Sequence, residues 1–142
     1  MSEHKQATRR WVDEVWNNRN QAAPAAMMAP NCVVHGLAQN GTDIVGPEAF
    51  RKFHAAFLGA FSNLHLQIED MIEEDGRVFM RFTATGRHDG DTLGFPPTHR
   101  NMRVTGMTVT RFENGKFVEG WNCFDAMGMM QQLGVVPAGN AW

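Results

Sequence analysis

Four side chains in this sequence have the chemistry to hold or move a proton inside an apolar site: Asn122, Asp125, His35 and His88. Asp125 stands where a strand ending at Phe124 passes into a helix over Ala126 to Leu133, so it reads either as the helix cap or as an alternative acid. His35 follows the apolar triplet Cys32-Val33-Val34 and is either a proton carrier or a satisfied structural histidine. His88 opens the phrase His88-Asp89-Gly90-Asp91, a composition that ordinary turns also favour. Asn122 cannot trade a proton, but its carboxamide can hold an oxyanion, an effect worth about 3 kcal/mol when one such donor is deleted. The histidines His4, His35, His54, His65, His88 and His99 include no pair at the helical or loop spacing of a metal site, so no metal is expected. Nucleophile and phosphate-loop motifs are absent, and with no tyrosine in the chain a tyrosine oxyanion donor is excluded.

The element that must position Asn122 is a β-hairpin, Met102 to Phe112 and Lys116 to Phe124, whose turn at Glu113-Asn114-Gly115 can close in two ways. A two-residue Asn114-Gly115 loop puts Phe117, Trp121 and Asp125 on one face with Thr108 and Thr110. A three-residue loop with a bulge puts them with Met107, Val109 and Arg111 instead. The second register sorts the side chains better by size. It leaves Gly106, Thr108, Thr110, Gly120, Asn122 and Phe124 together, either as the floor of a small cavity or as a solvent-facing surface.

The remaining elements follow from periodicity. Ala7, Trp11, Val12, Val15 and Trp16 recur at helical spacing and predict one amphipathic helix from Glu3 to about Asn18. A short helix from Pro24 to Met28, stopped by Pro30, precedes a brief strand from Cys32 to His35. Gly46-Pro47-Glu48 opens a third helix to about Ala60, with Phe50, Phe53, Phe57 and Phe61 on one side. Alternation predicts strands Leu64 to Glu73 and Arg77 to His88 around an Asp75-Gly76 turn, and Asp89 to Asn101, with its prolines, is a connecting loop. Helices first and consecutive antiparallel strands second define an α+β domain with helices laid on one face of a curved sheet.

Composition bounds the rest. A chain of 142 residues is expected to be a single domain, 1–142, and 43% hydrophobic with 20% charged residues describes a globular protein. A net charge of -2 gives no footprint for nucleic acid or anionic membrane. The polar start MSEHKQATRRW is no secretory signal and no apolar run reaches membrane-spanning length, so a cytoplasmic location and reduced Cys32 and Cys123 are expected.

A set of phrases spread over nearly the whole chain resembles the SnoaL-like polyketide cyclases. They are Val15-Trp16-Asn17, Gly46-Pro47-Glu48-Ala49-Phe50, Gly86-Arg87-His88-x-Gly90, Leu93-Gly94-Phe95-Pro96-Pro97-Thr98-x-Arg100, Asn114-Gly115-Lys116 and Asp125-x-x-Gly128 with Gln132-Leu133-Gly134. The resemblance implies the nuclear transport factor 2-like fold, a cone-shaped α+β barrel in which N-terminal helices pack on a strongly curved antiparallel sheet and a short helix ends the chain. It implies cofactor-free closure of a ring in an aromatic polyketide ester by intramolecular aldol condensation. An aspartate acts there as acid and base, beside a histidine and a glutamine. Aligned on the Gln-Leu-Gly helix, those three positions fall at Asn122, Thr108 and Gly106, so this chain departs from the pattern at all three. The expectation is a pocket for a small hydrophobic carbonyl compound, lined by Trp16, Phe53, Phe57, Gly106, Thr108, Gly120 and Phe124. Asn122 and Thr108 would polarise the ligand, with His35 or His88 as proton carrier, or else the pocket binds without turnover. The opposite face, with Met107, Val109 and Trp121, then needs cover, which a sheet-to-sheet homodimer provides.

Overall fold

The computed structural model describes residues 2–38 and 40–137. Helix α1, Glu3–Trp11, starts at Ser2, whose side chain accepts from Lys5 N at 3.1 Å, and it ends with Arg9 and Arg10 at the negative end of its dipole. The expected single helix does not continue to Asn18 in one form. From Val12 to Asn17 it widens into a π-helical turn, with Asn18 N bonded to Asp13 O at 2.7 Å. In an α-helix positions 11 and 16 would point roughly 140° apart. The wider turn narrows that angle, and Trp11 and Trp16 both reach the same hollow.

After α2, Ala23–Met27, the chain enters β1, Met28–His35, then β2, Ile44–Val45, and α3, Gly46–Ala60. The meander follows as β3, His65–Glu74, β4, Arg77–Arg87, β5, Asn101–Glu113, and β6, Lys116–Phe124, before α4, Ala126–Leu133. The sheet has six strands in the order β2-β1-β6-β5-β4-β3, so the four-strand meander is extended along β6 by β1, which runs parallel to it, and by β2. Pro30 lies inside β1 rather than beyond a helix end. It falls in the stretch between Met28 and Val33 where the ladder to β6 shifts, a place that tolerates a missing donor. Further irregularities at Glu69 in β3 and Val118 in β6 bend the sheet around the helices.

The last hairpin combines the two closures that the sequence allows. Its tip is the two-residue turn, with Asn114 at φ 50° and Gly115 at φ 75°, and Glu113 faces Lys116. One extra residue, Val118, then slips the ladder, so that Arg111 faces Glu119, Val109 faces Trp121 and Thr108 faces Asn122. Trp121 thus shares a face with Val109 and Met107 as expected. Phe117 does not: it pairs with Phe112 ahead of the bulge and is buried on the inner side.

Candidate functional site

The inner face of the sheet and the helices α1 and α3 form a partly open cavity of about 130 Å³. An apolar cavity of roughly 150 Å³ holds a benzene ring. Its wall is aromatic because α3 presents Phe53 and Phe57 one helical turn apart, the π turn adds Trp16, and β6 contributes Phe124. These rings form a continuous series, with centroids 6.4 Å apart for Trp16 and Phe53, 4.9 Å for Phe53 and Phe57, and 6.2 Å for Phe57 and Phe124. Trp11, Phe82 and Cys32 also line it, and the sequence reading missed them. Burial pushes the Cys32 thiol up to about 11, which leaves it an apolar wall group.

Three neutral polar side chains of the last two strands, Thr108, Thr110 and Asn122, look into this hollow. Thr108 and Asn122 are directly opposed, which sets their Cβ atoms about 4.5–5.5 Å apart. Asn122 Nδ2 donates to the main-chain carbonyl of His35 at 3.0 Å across the neighbouring strand. Neither threonine hydroxyl hydrogen-bonds to another side chain or to the main chain among the described residues. Gly120 borders the cavity and has room for a Cβ, which would make only ordinary contacts with Asn122 Nδ2 at 3.8 Å and Val109 O at 3.9 Å. Gly106 serves differently. A Cβ there would overlap the Phe82 ring and lie 2.9 Å from Phe124 Cβ, so this glycine admits a neighbouring ring and is not part of the cavity wall.

The ionisable groups named from the sequence lie elsewhere. His35 pairs with Trp121 on the outer face of the sheet, and their rings stack at 5.5 Å. Its Nδ1 meets Asp43 Oδ1 and its Nε2 meets Glu119 Oε2, each at 2.7 Å. Two carboxylates require both ring nitrogens to donate, and the bond to Glu119, then that to Asp43, raise the His35 pKa. Glu119 touches the cavity wall, yet its two oxygens are held by His35 and by Arg111 at 3.2 Å, which lowers its pKa.

His88 is fully buried outside the cavity, with Phe61 and Phe95 against its ring. Its Nδ1 accepts from Thr98 N at 3.0 Å, its main chain bonds to Arg100 and His99, and burial lowers its pKa. It anchors the loop between β4 and β5 and offers the hollow no proton. Asp125 is the cap of α4, accepting from Gly128 N at 2.9 Å. Among the described residues no group of three or more candidate ligands is placed to hold a metal.

Helices on a bent, mostly antiparallel six-stranded sheet, with a hollow between them, define the nuclear transport factor 2-like class of α+β proteins. Within it, the chain belongs to the family of SnoaL-like polyketide cyclases, whose sequence model matches residues 6–133. It is 29% identical over 136 residues to the aklanonic acid methyl ester cyclase DauD of Streptomyces sp. (strain C5), covering 94% of this chain and 83% of that one. A SnoaL-like protein of Jannaschia sp. CCS1 superposes with a TM-score of 0.84 at 22% identity, over 95% of this chain and 94% of the other. AclR of Streptomyces galilaeus gives 0.85 at 26% identity, over 99% and 86%. No helix among the described residues is long and apolar enough to cross a membrane.

Proposed function

We propose that the cavity binds a small, largely apolar carbonyl compound, packed between Trp16, Phe53, Phe57 and Phe124 and held at its polar end by Asn122 and Thr108. The observation that supports this reading most is the opposition of that carboxamide and that hydroxyl within a mostly aromatic and aliphatic wall. Half-buried polar groups on an apolar wall keep hydrogen-bonding capacity that a ligand can satisfy. The ring-closing chemistry of the family needs a carboxylic acid that trades a proton with a carbonyl oxygen, and Asn122 cannot supply it.

A second reading, a binding module without turnover, is favoured by the engagement of His35, His88 and Glu119 outside the hollow. The double substitution Asn122→Asp with Thr108→His separates the two. Ring closure on an aromatic polyketide ester supports a cyclase pocket that has lost its acid. Continued silence, in a folded variant that still binds the ester, supports the binding module.

The same reading covers the outer face of the sheet with a second copy of the chain, since Ile72, Met107 and Trp121 stand exposed there at 62%, 50% and 39%. Met107→Glu is then expected to convert a dimer into a monomer in sedimentation, and a wild type that sediments as a monomer would refute it.

A further inference from the structure

We infer that the polar end of the compound proposed above meets Asn122 and Thr108 as a hydroxyl, the O–H of a phenol or of the carbonyl group's enol, rather than as its keto oxygen; this rests on the cavity being a ligand site. The Asn122 amide can face only one way. Its partner is the main-chain carbonyl of His35, which can only accept, so the NH2 group must face β1 and Oδ1 must turn away from it. Reversing the amide would set two oxygens against each other. The contact itself is built in: Gly36, at φ 86°, lies so close to the Asn122 main chain that no Cβ would fit between them, which holds the end of β1 against β6.

Oδ1 is therefore the atom that Asn122 offers on the side away from β1, where β5 carries Thr108, and no side-chain or main-chain donor among the described residues reaches it. An amide oxygen accepts and never donates, whereas the Thr108 hydroxyl does both. A ketone entering between them accepts a hydrogen bond from Thr108, or from the second N–H of Nδ2, and leaves Oδ1 without a donor. A hydroxyl satisfies the pair at once, donating to Oδ1 and accepting from Thr108. The cavity, about 130 Å³ and partly open to solvent, holds a single ring within its walls. The ligand class that fits is thus a one-ring phenol, or a carbonyl compound captured as its enol.

Binding of three one-ring probes, phenol, anisole and acetophenone, measured by nuclear magnetic resonance titration of the wild-type protein, tests this. Phenol is expected to bind about tenfold or more tightly than anisole or acetophenone, since each of these leaves an acceptor unpaired. The preference is expected to collapse toward unity in Asn122→Leu and to shrink in Thr108→Val, a near-isosteric change that keeps the Asn122–His35 bond and serves if the leucine variant does not fold. Equal affinities of phenol and anisole for the wild type would overturn the hydroxyl inference and leave the cavity reading standing. Failure of all three probes to bind would overturn both.

Discussion

The two faces of the β5–β6 ribbon use polar residues in opposite ways. On the outer face Arg111 and Glu119, with His35 and Asp43 from the neighbouring segments, are charged and paired with one another, both ring nitrogens of His35 and both carboxylate oxygens of Glu119 having a protein partner. On the inner face Thr108, Thr110 and Asn122 are neutral and face an apolar hollow with hydrogen-bonding capacity left over. Charge is satisfied where water can screen it, and neutral acceptors are left where a ligand can come. In the function proposed above, the side chains that look most reactive as residue types are structural, and the milder ones serve recognition.

Two glycines of the ribbon sharpen this contrast with the largest expected effect. Gly106→Ala forces a methyl group into the Phe82 ring and is expected to destabilise the fold by about 1–3 kcal/mol in denaturant unfolding. Gly120→Ala meets only atoms 3.8 Å away or further and is expected to stay within about 0.5 kcal/mol of wild type, while narrowing the cavity and weakening phenol binding. Equal stability losses at both positions would mean that the inner face is packed solid and encloses no hollow.

A smaller effect probes the outer face through pH. His35 has its pKa raised in the folded state, so its stabilisation is fully present below the ordinary histidine value near 6.5 and is lost as pH rises through the higher folded value. Burial acts the other way on His54 and His88, whose lowered folded pKa makes stability fall as pH drops below about 6.5. The melting temperature is thus expected to decline on both sides of that value. His35→Gln should flatten the alkaline limb alone, and the change is modest because the imidazole remains 29% exposed and solvent screens it. An alkaline limb unchanged in that variant would place its origin outside the His35–Asp43–Glu119 cluster.

Much of the frame was legible in the sequence because periodicity is a local signal. The start of α1, the helix opened by Pro47 and the meander all follow from side-chain spacing, whereas spacing grouped Asn122 with Thr108 without deciding whether that face looks inward. What was not legible depends on single residues or on distant partners. The slip at Val118 inserts one residue and so reversed the expected side of Phe117, while leaving that of Trp121 intact. The π turn leaves no mark in the pattern, yet it decides that Trp16 joins Trp11. His35 showed its type but not its direction, because β1 pairs in parallel with β6 and its partner Glu119 is 84 residues away. His88 was read beside a strand end without sight of the loop that folds back over it.

The most direct test of the central claim is a crystal structure of the protein grown with 4-bromophenol, whose bromine is located by its anomalous signal. The account requires the ring between Trp16, Phe53 and Phe57, with its hydroxyl about 2.7–2.8 Å from Asn122 Oδ1 and from Thr108 Oγ1. A bromine peak confined to the outer face, or an Asn122 amide turned into bulk solvent with the hollow empty, would contradict it.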